Sequence, residues 1–329
     1  MTRINKNMNK TNFNICQVSL NRDIPLIIEN SKNFRKLYEN QITFHIICPE
    51  NQIREFREKL DFDSFNIINE EEIVRFNDFK IIYDKFSENI NYKEKFNLRL
   101  KWYYQQALKI TFALNFVQEK NENIIIWDAD TVILKKINFF ENDISIKYGN
   151  FFEYHKDYYE TNKEILRESP KYFISFLNQF IAISVKECDF FLKKYLKNNL
   201  QEKTLDRMIS ELIFKSIFSR HKVFKGSLFS EYELIGQSNY MFNNLKQKPL
   251  LFLRFGLNGK LTRIQKFLAA GLGYKHITYE HAKIDIKNLE MLNQKQSWLG
   301  FLKILFKNFT KFYLRCIIHT IKYNLYKLR

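Results

Sequence analysis

Glycine and proline are scarce in this chain of 329 residues, at eight and four. That scarcity argues against an all-β barrel, which needs many tight turns, and against a low-complexity disordered chain. No run of about 18 apolar residues occurs, so no segment reads as a membrane-spanning helix. The four cysteines, Cys16, Cys48, Cys188 and Cys316, show neither zinc-ligand spacing nor a redox pair. Cys16 and Cys48 lie inside apolar runs and read as small buried side chains in a reducing cytoplasm. The segment 1–12 is polar, without the apolar centre of a secretory signal, so a cytoplasmic location is expected. Acids are missing from the far end: after Glu290 there is none, against eight bases, which give that end +8 of the formal charge of +17.

What is present is a large supply of core residues, 45% hydrophobic and 16% aromatic. The first half alternates strand and helix patterns. Phe13–Leu20, Ile42–Cys48, Phe65–Ile68 and Ile124–Trp127 read as strands, and Ile24–Leu37, Asn51–Leu60 and Leu98–Phe116 as helices. This order predicts an α/β fold with a mainly parallel central sheet and flanking helices, with ligands beyond the carboxyl ends of the strands. The second half is less regular: Phe176–Ser184 reads as a strand, Lys186–Leu196 and Leu205–Phe218 as helices, and Ser230 as the cap of a helix toward Tyr240. Leu250–Phe255 and His276–Tyr279 are weaker strand candidates. The one compositional break falls near 290, dividing a body (1–290, with halves of about 13–135 and 136–290) from a tail (291–329).

The segment Ile124-Ile125-Ile126-Trp127-Asp128-Ala129-Asp130 carries the clearest chemistry. A buried strand ends on two carboxylates at i and i+2, which strand periodicity places on one face. Such a pair repels unless a cation lies between, and Mg²⁺ or Mn²⁺ prefers oxygen donors while keeping positions for phosphates. In the preceding helix the apolar side chains cover nearly the whole circumference, so Arg99, Trp102, Gln105, Gln106 and Lys109 are expected in a largely buried setting. Buried polar groups need partners. A nucleotide with its phosphates is one source, and local carbonyls or snorkelling to water another.

An aromatic-Gln-Gln-x-x-Lys helix before a strand ending in Asp-Ala-Asp resembles the D-x-D glycosyltransferases of the GT-A (Rossmann-like) fold. It is especially similar to bacterial enzymes of surface-polysaccharide (lipopolysaccharide or capsule) synthesis. Phe229-Ser230-Glu231-Tyr232-Glu233-Leu234-Ile235-Gly236 also resembles that group. The resemblance spans about 13–285. It implies a nucleotide-sugar donor in the first half, with Val18 lining the base pocket, Arg22 reaching a phosphate, Asp128 near ribose and metal, and Asp130 as direct metal ligand. For an inverting transfer it implies a base, Glu231 first and Glu233 second, whereas a retaining transfer needs none, and an acid in a first helical turn is favourable on its own account. A downstream ligand completing the metal shell points to His276 or His281. His155 and Tyr158 in an aromatic stretch, and Gln179 in the 176–184 segment, are expected toward the acceptor, a glycan or a lipid-linked sugar.

In the tail, Lys303, Lys307, Lys311, Arg315 and His319 recur every four residues among Trp298, Leu299, Phe301, Leu302, Ile304 and further apolar residues. A basic stripe beside an apolar face describes an amphipathic helix on an anionic membrane, here the inner face of the cytoplasmic membrane. The alternatives are a helix packed on the body, a nucleotidyl- or phosphotransferase using the same aspartates, and a basic nucleic-acid binder. The last predicts bases spread over one face of the body, and no nucleic-acid motif is present.

Overall fold

A computed structural model of the protein describes residues 13–38, 42–60, 62–150, 153–167, 175–196, 203–223, 226–243, 248–254, 260–279 and 295–327. The first part runs β1 (Phe13–Val18), α1 (Ile24–Leu37), β2 (Ile42–Cys48), α2 (Ile53–Lys59) and β3 (Phe65–Asn69), followed by α3 (Glu70–Ile73), α4 (Phe76–Ser87), α5 (Lys93–Asn97), α6 (Leu100–Lys120) and β4 (Ile124–Trp127). Short strands β5 (Thr131–Ile133), β6 (Phe140–Glu141), β7 (Ile144–Ser145) and β8 (Tyr148–Gly149) precede α7 (Lys156–Leu166), β9 (Phe180–Ile183) and α8 (Val185–Phe191). Then come α9 (Leu205–Arg220), α10 (Glu231–Asn243), β10 (Lys248–Pro249), β11 (Leu253–Arg254), α11 (Arg263–Gly271), β12 (His276–Thr278) and α12 (Trp298–Lys327).

The central sheet has the order β3-β2-β1-β4-β9. The first four strands are parallel, and β9 runs antiparallel to β4, with Trp127 opposite Phe180. The mainly parallel α/β architecture is the one expected. α1, β2 and β4 have the anticipated boundaries, because apolar runs with few interruptions mark strands buried on both faces. Alternation along β4 feeds two cores. Ile124 and Ile126 join α4, α6, α9 and α10 on one side, while Ile125 and Trp127 join α1 and Phe139 on the other. α6 is buried at every position from Gln106 to Leu114, as its all-round apolar pattern requires.

Three differences have local causes. β4 stops at Trp127, and a turn closed by the Thr131 amide on the Asp128 carbonyl (3.0 Å) follows, so Asp128 and Asp130 do not share a face through strand periodicity. The strand in 176–184 shrinks to β9, because the Asn178 amide bonds back to the Phe176 carbonyl at 2.8 Å and Gln179 takes a left-handed φ of 63°, which breaks the extended backbone before it. The helix of 186–196 is α8 with one π-helical turn, Leu192–Leu196, appended.

A third core, with Leu26, Val132, Leu253, Ala269, Tyr274 and Ile277, lies around the sheet β11-β12-β5 and receives Phe301, Leu305 and Phe312 of α12. α12 is thus packed on the body along one side while much of its remaining apolar surface is exposed. Among the described residues no helix is long and apolar enough to cross a membrane. Cys16, Cys48 and Cys188 are buried and unpaired, and burial pushes each thiol up to about 12, which leaves them unreactive.

Candidate functional site

Alternation on β4 continues one residue past the strand. Asp128 follows Ile124 and Ile126 toward α6, where Lys109 meets it at 2.5 Å. The same ammonium reaches Oε1 of Glu231 at 2.8 Å and lies 5.1 Å from the centre of the Tyr232 ring. The Tyr232 hydroxyl donates to Oδ1 of Asp128 at 2.6 Å. Three segments far apart in sequence therefore close on one cation. Lys109 and Glu231 have only 4% of their side chains exposed, and Asp128 has 18%. Burial opposes the charge on Lys109, but Asp128 and Glu231 overcome it and hold its pKa above the usual lysine range. Burial raises Glu231, with Lys109 pulling the other way. Tyr232 is raised well above an ordinary phenol by burial and by the charges of Asp128, Glu231 and Asp130, which places Asp130 within electrostatic reach of the group.

The start of α10 is not capped as expected. The Ser230 hydroxyl, though buried, makes no hydrogen bond. Gln106 of α6 does the work instead, accepting from the Glu231 amide at 3.1 Å and so satisfying one of the helix's otherwise unpaired N–H groups. Glu231 and Glu233 stand about 200° apart around α10, at ~100° per residue, and they face different surroundings. Glu233 accepts from the Ser175 hydroxyl, from the Phe176 amide at 3.0 Å and from Gln237 at 3.2 Å. Its burial lifts the carboxyl to about 7, those donors opposing the rise. Gly236 lets this face approach closely: a Cβ there would fall 2.2 Å from Cγ of Phe176.

The Asp128 turn is fastened to its neighbours. Gln179 takes the left-handed conformation at φ 63°, uncommon for a residue with a side chain, and its carbonyl accepts from the Asp128 amide at 2.9 Å. The Asp130 carbonyl accepts from the Tyr279 amide at 3.0 Å, and Thr131 and Thr278 share a hydroxyl contact at 2.9 Å.

The remaining candidates fall in different places. Gln106 and Lys109 belong to the cluster, but Lys109 finds its partners in the chain's own carboxylates, not in local carbonyls or water. The nearby Gln105 and Trp102 are half-buried, Trp102 edge-on to Tyr103. Arg99 reaches the Ser227 hydroxyl. Val18 is buried in the core beside α6, and Arg22 is more than a third exposed, 3.9 Å from Asp23. His155 rests on Tyr158 with 4.8 Å between ring centres and lies 3.8 Å from Glu153. His276 is not brought to the aspartates. Its ring is enclosed by Phe252, Trp127 and Phe180, and burial lowers its pKa to about 3. His281 lies outside the described residues. Sequence reading missed the joining of Tyr232 to Asp128; the signal available was a tyrosine inside the same Ser-Glu-Tyr element.

No family model matches the chain, and no curated protein matches it. Among solved structures it is similar to the apo form of mouse xyloside xylosyltransferase 1, at a TM-score of 0.38 and 11% identity, over 84% of this chain and 100% of that one. It is also similar to the galactosyltransferase LgtC in complex with donor and acceptor sugar analogues, at 0.41 and 11%, over 90% and 96%. An active-site mutant of LgtC gives 0.40 and 11%, over 88% and 100%. At these values the likeness decides nothing about activity.

Proposed function

We propose that the protein is a metal-dependent glycosyltransferase of the GT-A type. In this reading it moves a sugar from a nucleotide-sugar donor to a glycan or lipid-linked acceptor of a bacterial surface polysaccharide. α12 rests on the inner face of the cytoplasmic membrane, where such an acceptor is met. The observation that carries the reading is the closure of three separate segments on Lys109 just past the carboxyl end of β4, where a mainly parallel sheet offers its ligand crevice.

The donor chemistry of Asp128 and Asp130 fits a hard divalent cation. Both offer carboxylate oxygens and both act on the Tyr232 phenol, so they lie within electrostatic reach of one point, although among the described residues no group of three or more His, Cys, Asp or Glu gathers to enclose a metal. Asp130 and the remaining oxygen of Asp128 would hold Mn²⁺ or Mg²⁺, which supplies charge neutralisation of the departing nucleoside diphosphate. The protein's own groups do the rest. Lys109 fixes Asp128 and offsets the charge of the buried Glu231. Tyr232 sets the orientation of Asp128 through Oδ1. Glu231, raised by burial, is the candidate base for the acceptor hydroxyl, and Glu233 stands on the opposite face of α10.

A thermal-shift panel of nucleotide-sugars with and without Mn²⁺ tests this reading. One donor is expected to stabilise the protein only when metal is present. Glu231→Gln is expected to lower kcat by about a hundredfold or more while leaving that stabilisation intact. Absence of stabilisation by every donor, together with absence of nucleoside phosphate release, overturns it. Transfer of a phosphoryl or nucleotidyl group in product analysis overturns it in favour of a phosphotransferase.

A further inference from the structure

We infer that α11 is a second lipid-contacting element, which together with the exposed side of α12 forms a docking surface for an anionic bilayer. This rests on the reading that α12 meets a membrane, and adds a separate helix to it. α11 is built inside out. Its buried side chains are Gln265 and the small Ala269, whereas Ile264 and Phe267 are 63% and 76% exposed, with Leu268 and, just beyond the helix, Leu272 also exposed. These four positions follow i, i+3, i+4 and i+8, one continuous stripe on one helix face. An ordinary surface helix turns such a stripe toward the core.

The orientation is pinned. Gln265 closes a reciprocal cap with Thr262 and donates to the Gln296 carbonyl at 3.1 Å, two residues before α12 begins. Lys266 pairs with Glu29, and Ala269 sits in the third core. The Tyr274 hydroxyl, on the segment leaving α11, donates to the Leu305 carbonyl of α12 at 2.7 Å. α12 buries Phe301, Leu305 and Phe312 in that same core and exposes Leu299, Phe306, Tyr313, Leu314 and Ile317.

Charge selects the occupant. From Leu234 to Tyr279 there are seven bases and no acid, and from residue 291 onward eight bases and no acid. Lys303, Lys307, Lys311 and Arg315 recur along α12 beside its exposed apolar residues, and Arg263 and Lys266 lie on α11. Exposed aromatic and aliphatic stripes flanked by an excess of cations, with Glu29 neutralised by Lys266, complement a surface that is apolar within and anionic at its face. Neither helix is apolar enough to cross the bilayer, so both lie along it.

The test uses the full chain and vesicles of phosphatidylcholine with phosphatidylglycerol. Replacing both residues, Ile264→Ser with Phe267→Ser, is expected to reduce partitioning roughly tenfold, with Tm unchanged because both side chains are exposed. In vesicles with brominated acyl chains, the quenching lost from the native chain on Trp298→Phe, with Trp102 and Trp127 common to both, reports on α12. Phe267→Trp in a Trp298→Phe background, read against Trp298→Phe alone, reports on α11, and lipid quenching is expected at both positions. Quenching at 298 but not at 267, with partitioning indifferent to the serine pair, overturns the role of α11 and leaves that of α12 standing. Failure of the unaltered chain to partition overturns both. Equal partitioning on pure phosphatidylcholine, or a dimer in light scattering that the serine pair dissolves, also overturns the inference.

Discussion

Two buried lysines in this fold have opposite fates. Lys109 lies within 2.8 Å of two carboxylates and is held firmly charged. Lys147 is as deeply buried, but its one carboxylate, Glu187, is 3.7 Å away, and burial lowers it to about 8. Its nearer partners are the neutral Ala182 carbonyl at 2.6 Å and the Ser145 hydroxyl. Desolvation is common to both, so the number and closeness of anions decides the outcome. Glu187 is also served by three other donors, the Ser145 hydroxyl and both the amide and hydroxyl of Ser184, so that cluster is closed on itself within the scaffold. The Lys109 cluster sits beside Asp128 and Asp130, the two half-buried residues of the turn that follows β4.

The largest expected difference between the two regions is in turnover. Asp130→Ala should lower it by about a thousandfold or more, the scale of losing a metal's stabilisation of leaving-group charge, with little change in Tm; retained turnover at saturating donor would remove the metal role. Next in size, Lys109→Met strands the buried Glu231 and removes the partner of the half-buried Asp128, and should cost about 3–5 kcal/mol in urea unfolding. A loss under ~1 kcal/mol would mean that the triad is not a coupled unit. Glu233 offers a test by pH. Its folded pKa of about 7 exceeds the ordinary glutamate value of 4.5, so the folded state binds the extra proton more tightly. Its contribution is therefore full below pH 4.5 and is lost as pH rises through about 7, by at most about 3.5 kcal/mol at ~1.4 kcal/mol per unit. Glu233→Gln should flatten that part of the stability profile; an unchanged slope between pH 5 and 7 would place the titration elsewhere. The smallest effect belongs to Lys147→Met, about 1–3 kcal/mol, with turnover unaffected. A loss of activity in that variant would break the distinction between site and scaffold.

Much of the sheet was legible because its strands are apolar on both faces and its helices periodic. α4 and α5 were passed over because their apolar positions are diluted by charge. α11 was missed for a different reason: its apolar face points away from the core, so it brought no buried periodicity with it. At the site, the sequence argued that a lysine in an apolar helix needs a counter-charge, and offered a ligand. The partners were in the chain, one of them 122 residues downstream, a pairing that only the fold supplies. For Asp-Ala-Asp, strand periodicity was extended into what is a turn, whose closing hydrogen bond leaves no mark in composition.

Gly236 has a mechanical consequence. α10 carries Glu231 and Tyr232 toward Lys109 and Glu233 toward Ser175, and bare backbone at Gly236 lets it press against Phe176. The helix is thus an axle shared by two polar assemblies. A single methyl at that point would lift it away from the Phe176 side and drag both carboxylates together, so the two clusters have one common adjustment and neither drifts alone.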